Sequence, residues 1–266
     1  MYKKIEELAR LAGKIMLEAS GKPIQANEKT SNSDIVTEYD VKIQNFLEAE
    51  LIKLYPCAKF LGEEGDNKGN INDILSGVAF IIDPIDGTTN FVRDFYKSAV
   101  SIAMLKDGDA VFGCCYIPYC DEMFCAEKGK GAFRNGKRIS CVNREVCNSI
   151  ASVGTAPYDK SEMGDATLGI MKTLFLSLMD VRRFGSAVID LLDLACGKVD
   201  IFCEMRLSPW DYAAAGLIAS EAGAIVTDMN GNKLGYDKRY SVVAATKPCM
   251  DFFRDCADIQ KYNHLF

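Results

Sequence analysis

The chain has 266 residues, enough for one large domain or two closely packed halves, and its 48% hydrophobic and 26% charged residues are ordinary soluble globular composition. A net charge of −6 with no block of Lys or Arg argues against nucleic acid or an anionic membrane as a partner. The single histidine, His264, lies in the C-terminal tail, which excludes a Ser-His-Asp triad or a His-rich zinc site; the eleven cysteines are scattered without zinc spacing and read as reduced thiols of a cytoplasmic protein.

The first element is an amphipathic helix. Ile5, Leu8, Leu11, Ala12, Ile15 and Met16 recur at helical spacing with charges between them, unlike the uninterrupted apolar core of a signal peptide. Residues 21–40 are polar and turn-rich, and they lead into a second helix carrying Val41, Ile43, Phe46, Leu47, Leu51 and Leu54, which Pro56 stops. A short strand ends at Gly62, a polar segment follows, and "SGVAFIID" reads as a buried strand. Strands at 98–105, 110–117, 122–127 and 131–134, with turns at Asp107-Gly108 and Asn135-Gly136, then form an antiparallel meander.

From about residue 148 the pattern changes. Strands near 149–153, 180–184, 199–203, 224–228 and 241–245 alternate with helices near 164–178, 186–196, 211–222 and 248–259. The expected organisation is an N-terminal α+β half, 1–145, and a C-terminal α/β half, 146–266, joined without a flexible linker and sharing a rigid interface. No stretch is long and apolar enough to span a bilayer.

Three places carry polar residues whose position costs stability. "DPIDGTT" puts Asp83 and Asp86 together at a strand end, where close carboxylates repel unless a cation sits between them. Gly87 lets backbone approach a ligand, and the amides of 87–89 can form an anion cradle; an Asx turn capped by Thr hydroxyls is the alternative. "GEE" supplies Glu63 and Glu64 at another strand end. Asp211 opens a strong helix, as a dipole cap or as a further carboxylate of the cluster. Trp210 reads as core packing. Glu204, after "VDIFC", faces solvent or accepts hydrogen bonds from a polyol, while Lys29, Asp34 and Asp40 are explained by ordinary surface charge. A hard-cation, phosphate-handling site is the reading these residues support.

"GEE" at 62–64, "DPIDGTTNF" at 83–91 and "WDYAAAGLIASEAG" at 210–223, with "DIVTEYD" at 34–40 and "KGKGAFRNGKRI" at 128–139, together resemble the inositol monophosphatase family of magnesium-dependent, lithium-sensitive phosphatases. The resemblance covers nearly the whole chain. It implies an αβαβα sandwich of the sugar-phosphatase type, with an antiparallel sheet in the first half and a second mixed sheet in the other. It also implies two or three Mg²⁺ per site: one on Glu63, Asp83 and the carbonyl of Ile85, a second on Asp83, Asp86 and Asp211, and a weaker third reached by Glu63 through waters. Glu63 and Thr88 match a water-activating pair, Asp40 a supporting carboxylate, and Lys29 a basic residue at the edge. Gly87, Thr88 and Thr89 match the phosphate cradle, and Gly185, Ser186, Ala187 and Glu204 the polyol pocket.

The implied reaction is hydrolysis of a small phosphate monoester, inositol monophosphate before fructose 1,6-bisphosphate or NADP. A homodimer is implied too, and a regulatory, protein-binding role is the alternative of another class. Ser208 lies in a segment that varies among the family's substrate classes, which leaves the leaving group open.

Overall fold

A computed structural model of the chain describes residues 2–22, 24–31, 34–64 and 71–265. The first half opens with helix α1 (Lys3–Ala19), strands β1 (Ala26–Ser31) and β2 (Asp34–Thr37), and helix α2 (Glu38–Leu54). Strand β3 (Lys59–Gly62), helix α3 (Ile71–Leu75), strand β4 (Val78–Asp86) and helix α4 (Thr88–Val92) follow. The meander is β5 (Ala99–Lys106), β6 (Asp109–Ile117), β7 (Glu122–Glu127), β8 (Gly131–Arg134) and β9 (Lys137–Ile139). In the second half come β10 (Ile150–Val153), α5 (Lys160–Ser177), β11 (Asp180–Arg182), α6 (Ala187–Ala195), β12 (Ile201–Leu207) and α7 (Pro209–Glu221). Strands β13 (Ile225–Thr227) and β14 (Tyr240–Ala245), then α8 (Lys247–Asp255) and α9 (Ala257–Gln260), complete it.

Strands β3 to β9 form one sheet in sequence order, antiparallel throughout except for the β3–β4 pair at its edge. The second sheet runs β11-β10-β12-β14-β13 and mixes parallel and antiparallel pairs. Alternation along the strands builds the layers. Phe80 and Ile82 of β4 turn toward α1 and α2, while Ala79 and Ile81 join a second core with α6, α7 and Phe202, Val242 and Ala244 of the other sheet. The far face of that sheet, with Ile201, Cys203, Met205 and Val243, packs on α5 and α8. The order is therefore helix, sheet, helix, sheet, helix: the expected αβαβα sandwich. Gly113 permits the tight α7 contact, since a Cβ there would lie 2.6 Å from the carbonyl oxygen of Ala214.

Several local expectations change. Residues 26–37 hold the β1–β2 hairpin, which the polar sequence does not announce because its strands form a separate two-stranded sheet without a core-facing alternation. Helix α2 begins at Glu38, where Thr37 and Asp40 close a capping box. Leu11, Val41 and Leu54 are exposed; α1 buries Ala9 and Ala19 instead. Helix α3 lies in the segment read as merely polar, and Asp66 of "GEEGD" and the side chain of Asp34 fall outside the described residues. Strand β4 continues through Pro84 to Asp86, its register against β5 shifting between Asp83 and Asp86, which is where a proline is tolerated in a sheet. Among the described residues no helix is long and apolar enough to cross a membrane.

Candidate metal centre and its cavity

The end of β4 and the start of α7 bring three carboxylates together. One oxygen each from Asp83, Asp86 and Asp211 lies within 4.8 Å of the others, joining positions from both halves of the sequence. Asp83 is 1% exposed, and its Oδ1 accepts the amide of Ile85 at 3.0 Å, so the Asx turn and the carboxylate cluster coexist. Asp86 Oδ2 accepts the hydroxyl of Ser186 and the amide of Val188 at 2.9 Å, which ties β4 to the first turn of α6. Asp211 Oδ2 accepts the amide of Ser208 at 2.6 Å and so caps α7 while facing the other two.

Burial and mutual repulsion govern their ionisation. Asp83 is held well above the usual carboxylate range by burial first and then by Glu63, Asp86 and Asp211. Burial pushes Asp86 up to about 7 against the opposing bonds from Ser186 and Val188. Asp211 is also raised well above its ordinary value, by burial and then by Asp86 and Glu63. Carboxylates that raise one another in this way are relieved by a cation, and an all-oxygen donor set suits a hard one. The residues present fit a divalent metal ion.

Glu63 and Glu64 stand at the end of β3, where Gln44 of α2 grips the backbone of Glu64 on both sides, its Oε1 accepting that residue's amide at 2.8 Å. Lys29 reaches over from β1 to Glu63 at 2.9 Å and to Glu64, and these partners hold its ammonium above the usual lysine range although burial pulls the other way. Burial raises Glu64 to about 7, opposed by the bond from Lys29. Asp40 is fully buried; burial raises it to about 6, opposed by the Thr37 hydroxyl and amide. Its other oxygen accepts the Thr88 hydroxyl at 3.3 Å, and that hydroxyl also reaches the Ile85 carbonyl at 3.1 Å. Lys29 thus lines the cavity described below and Asp40 is buried against Thr88, so neither is incidental surface charge.

Gly87 adopts φ +85°, and a Cβ there would meet the carbonyl oxygen of Lys97 at 2.9 Å and Ser186 Cβ at 3.2 Å. The turn it makes starts α4, whose first amides have no intrahelical acceptor. Asn90 locks the same loop to the second half, donating to the carbonyls of Lys97 at 2.7 Å and Phe184 at 2.8 Å.

These groups open on a cavity of about 610 Å³. Glu63, Asp86, Asp211 and Gly87 to Thr89 line it, as do Gly185, Ser186 and Ala187. Asp83, Ile85 and Asp40 are buried and stay off the wall. Ser186, matched to the polyol pocket, spends its hydroxyl on Asp86 and on capping α6. Glu204 lines the cavity without facing bulk solvent: it is 8% exposed and accepts the amide of Ala156 at 2.8 Å, and burial lifts it to about 7. Trp210 packs on the core with one side and lines the cavity with the other.

Sequence reading missed Asp190, Arg183, Arg206 and Arg239, all on the cavity wall. Asp190 is buried and takes the hydroxyl of Ser152. A signal existed for Arg206, two residues beyond Glu204 in one strand and therefore on the same face. No sequence proximity joins the three arginines.

The model of the inositol monophosphatase family matches residues 1–260. An inositol monophosphatase of Dictyostelium discoideum is 39% identical over 209 residues, covering 77% of this chain and 76% of that protein. The Nus factor SuhB of Vibrio cholerae is 37% identical over 240 residues, covering 90% and 88%. Among solved structures, an IMPase from Thermotoga maritima superposes with TM-score 0.85 at 29% identity, over 99% of this chain and 96% of that one.

Proposed function

Because the chain belongs to the inositol monophosphatase family, we propose that it is a Mg²⁺-dependent phosphomonoesterase whose first substrate is inositol monophosphate. The observation that carries this reading is the trio of Asp83 and Asp86, both buried, with the partly buried Asp211, beside a cavity lined by the Gly87–Thr89 turn. The trio would hold a divalent cation beside the turn, whose amides can donate to an anion.

In this reading Glu63, Asp83, Asp86, Asp211 and the carbonyl of Ile85 would hold the metal. Bound Mg²⁺ supplies the charge that acidifies a water and neutralises the departing oxygen. The Thr88 hydroxyl, which donates to Asp40, and Glu63 would hold the attacking water, and the Glu63 carboxylate would take its proton. The amides of Gly87, Thr88 and Thr89 bind the phosphoryl oxygens. Water oxygen joins phosphorus as the opposite ester bond breaks, and the departing polyol oxygen takes a proton from solvent water, the count being restored when Glu63 releases the proton it received. Glu204, beside Gly185 to Ala187, accepts hydrogen bonds from polyol hydroxyls. No histidine is needed.

The same proposal includes lithium sensitivity, a cytoplasmic location, and a functional division in which 1–145 supplies most metal ligands while 146–266 supplies Asp211 and the pocket. A homodimer is supported by exposed Leu168, Phe175 and Leu176 on α5 with Met179 after it, an apolar face of the kind that association covers. A second, regulatory reading has support in the relative named a Nus factor.

A panel of inositol 1-phosphate, fructose 1,6-bisphosphate, NADP and p-nitrophenyl phosphate, assayed with Mg²⁺, tests the activity. Turnover of inositol 1-phosphate is expected. Release of phosphate from none of them removes the phosphatase reading and leaves the regulatory one.

A further inference from the structure

The sheet face under α1 gathers three sulfur atoms that the phosphatase reading does not use. Cys114 of β6 stands opposite Cys125 of β7, and Met123 lies two places before Cys125 and so on the same face. The amide of Lys128 donates to the Val111 carbonyl at 3.0 Å, which makes theirs a hydrogen-bonded pair of the ladder. Alternation along the register then makes Cys114 and Cys125 a non-hydrogen-bonded pair, the kind whose Cα atoms lie about 4.5 Å apart and whose side chains come closest. The Cys114 thiol donates to Met123 Sδ at 3.4 Å. The cysteines nearest in sequence turn elsewhere: Cys115 faces the other core, its thiol 3.9 Å from the Ser101 hydroxyl, and the Cys120 thiol reaches the Ile117 carbonyl at 3.8 Å.

The trio has a way in. Cys114 and Met123 are buried, but Cys125 is only partly so, and Met123 and Cys125 line a second cavity, of about 440 Å³, beside the start of α1. Glu6 and Glu127 share its wall with Lys3, Lys130 and Arg10, and Arg10 is paired with Asp121, so no excess of positive charge repels a cation there. Cys125 and then burial hold the Cys114 thiol well above its ordinary range, so it keeps its proton until an ion displaces it. Sulfur ligands about 2.3 Å from one ion lie within about 4 Å of one another. The Cys114 to Met123 separation of 3.4 Å already falls inside that limit. Two thiols and a thioether make a soft donor set, which selects Cu⁺ over the hard cations that carboxylates hold, and a thioether is foreign to zinc sites.

We propose that Cys114, Cys125 and Met123 form a copper(I) site, entered through the cavity beside α1 and distinct from the carboxylate centre. Binding replaces two S–H bonds by two Cu–S bonds, the two protons pass to solvent, the Met123 sulfur donates a lone pair, and no electron is transferred. The loaded site carries one negative charge, which Lys3 and Lys130 on the cavity wall offset. The site stands whether or not the chain is a phosphatase.

The test titrates Cu⁺ anaerobically into wild type, Cys125→Ser, Cys114→Ser, Met123→Leu and Cys57→Ser in competition with the copper(I) chelator bicinchoninate, with thermal unfolding of each. Wild type is expected to retain one copper per chain, and X-ray absorption of that ion to show three sulfur neighbours. Losing a group that only supports a metal ligand already costs about 10–100-fold in affinity, so C125S and C114S, which lose a ligand, should weaken binding by at least about a hundredfold. Met123→Leu should weaken it less. C57S removes an exposed thiol elsewhere and should match wild type. Copper lost wholly to the chelator, or held equally by folded C125S and C114S, overturns the site. So does an absorption spectrum dominated by oxygen or nitrogen neighbours, or a Zn²⁺ affinity that equals that for Cu⁺ and is untouched by Met123→Leu. The absorption measurement needs only wild type, which covers the case in which a variant does not fold.

Discussion

Asp86 and Ser186, one hundred positions apart, are joined by a hydrogen bond in which the Ser186 hydroxyl donates to the Asp86 carboxylate. The same hydroxyl oxygen accepts the amide of Ile189 at 3.2 Å, so a residue of the candidate metal centre completes the cap of α6. Ser186→Ala is expected to cost about 1 kcal/mol of stability as a lost N-cap. Asp86→Asn and Ser186→Ala combined should be non-additive by about 0.5–3 kcal/mol, as for residues in one network. Additive losses in denaturant unfolding would show that the two ends are not coupled.

Asp83→Asn separates catalysis from folding. Asn keeps an oxygen for the Ile85 amide and removes one charge from a repelling cluster, so the metal-free protein is expected to be as stable as wild type or more so. Turnover should vanish. Unfolding in chelator and phosphate release in Mg²⁺ measure the two sides, and a folded variant with near wild-type turnover removes the shared-ligand role.

At Gly87 the predicted effect is on backbone geometry. Gly87→Ala places a Cβ at positive φ and against the Lys97 carbonyl, a strain of about 1–2 kcal/mol that the turn relieves only by moving its amides. Activity is expected to fall more steeply than stability. An active variant with unchanged KM for phosphate esters would mean that the turn does not cradle the phosphate.

Glu204 gives a pH signature. Its pKa is raised from an unfolded value of about 4.3 to about 7. A carboxyl raised on folding contributes stability that is fully present below its unfolded value and is lost as pH climbs through the folded one, here between about 4.3 and 7, on the order of 3 kcal/mol. In the metal-free protein Glu204→Gln should therefore flatten the decline in melting temperature across that window. An identical pH dependence in E204Q would assign the decline to other carboxyls.

Much of this was legible in the sequence because it lies in short motifs and strong periodicities. The apolar run before Asp83 marked a buried strand, and Asp83 with Asp86 advertised a costly pair, whereas the two faces, Phe80 and Ile82 against Ala79 and Ile81, are distinguished only by the packing. The β1–β2 hairpin was hidden because it buries too little to need an apolar pattern, yet it delivers Lys29 to Glu63. The arginines were hidden for a different reason: Arg183, Arg206 and Arg239 come from separate elements and meet only through the packing that also brings Asp159 between two of them. Composition reported no basic patch, because three residues spread over 57 positions make none until the chain folds.

The central claim, that the acidic trio works by holding a divalent cation, is tested most directly by following phosphate release from inositol 1-phosphate as Mg²⁺ is titrated into exhaustively chelated protein, with metal binding measured by calorimetry on the same sample. Release should be absent without metal, should appear along the binding curve, and should be missing, with weakened binding, in Asp83→Asn. Equal turnover before and after chelation, or full metal binding by D83N, would contradict it.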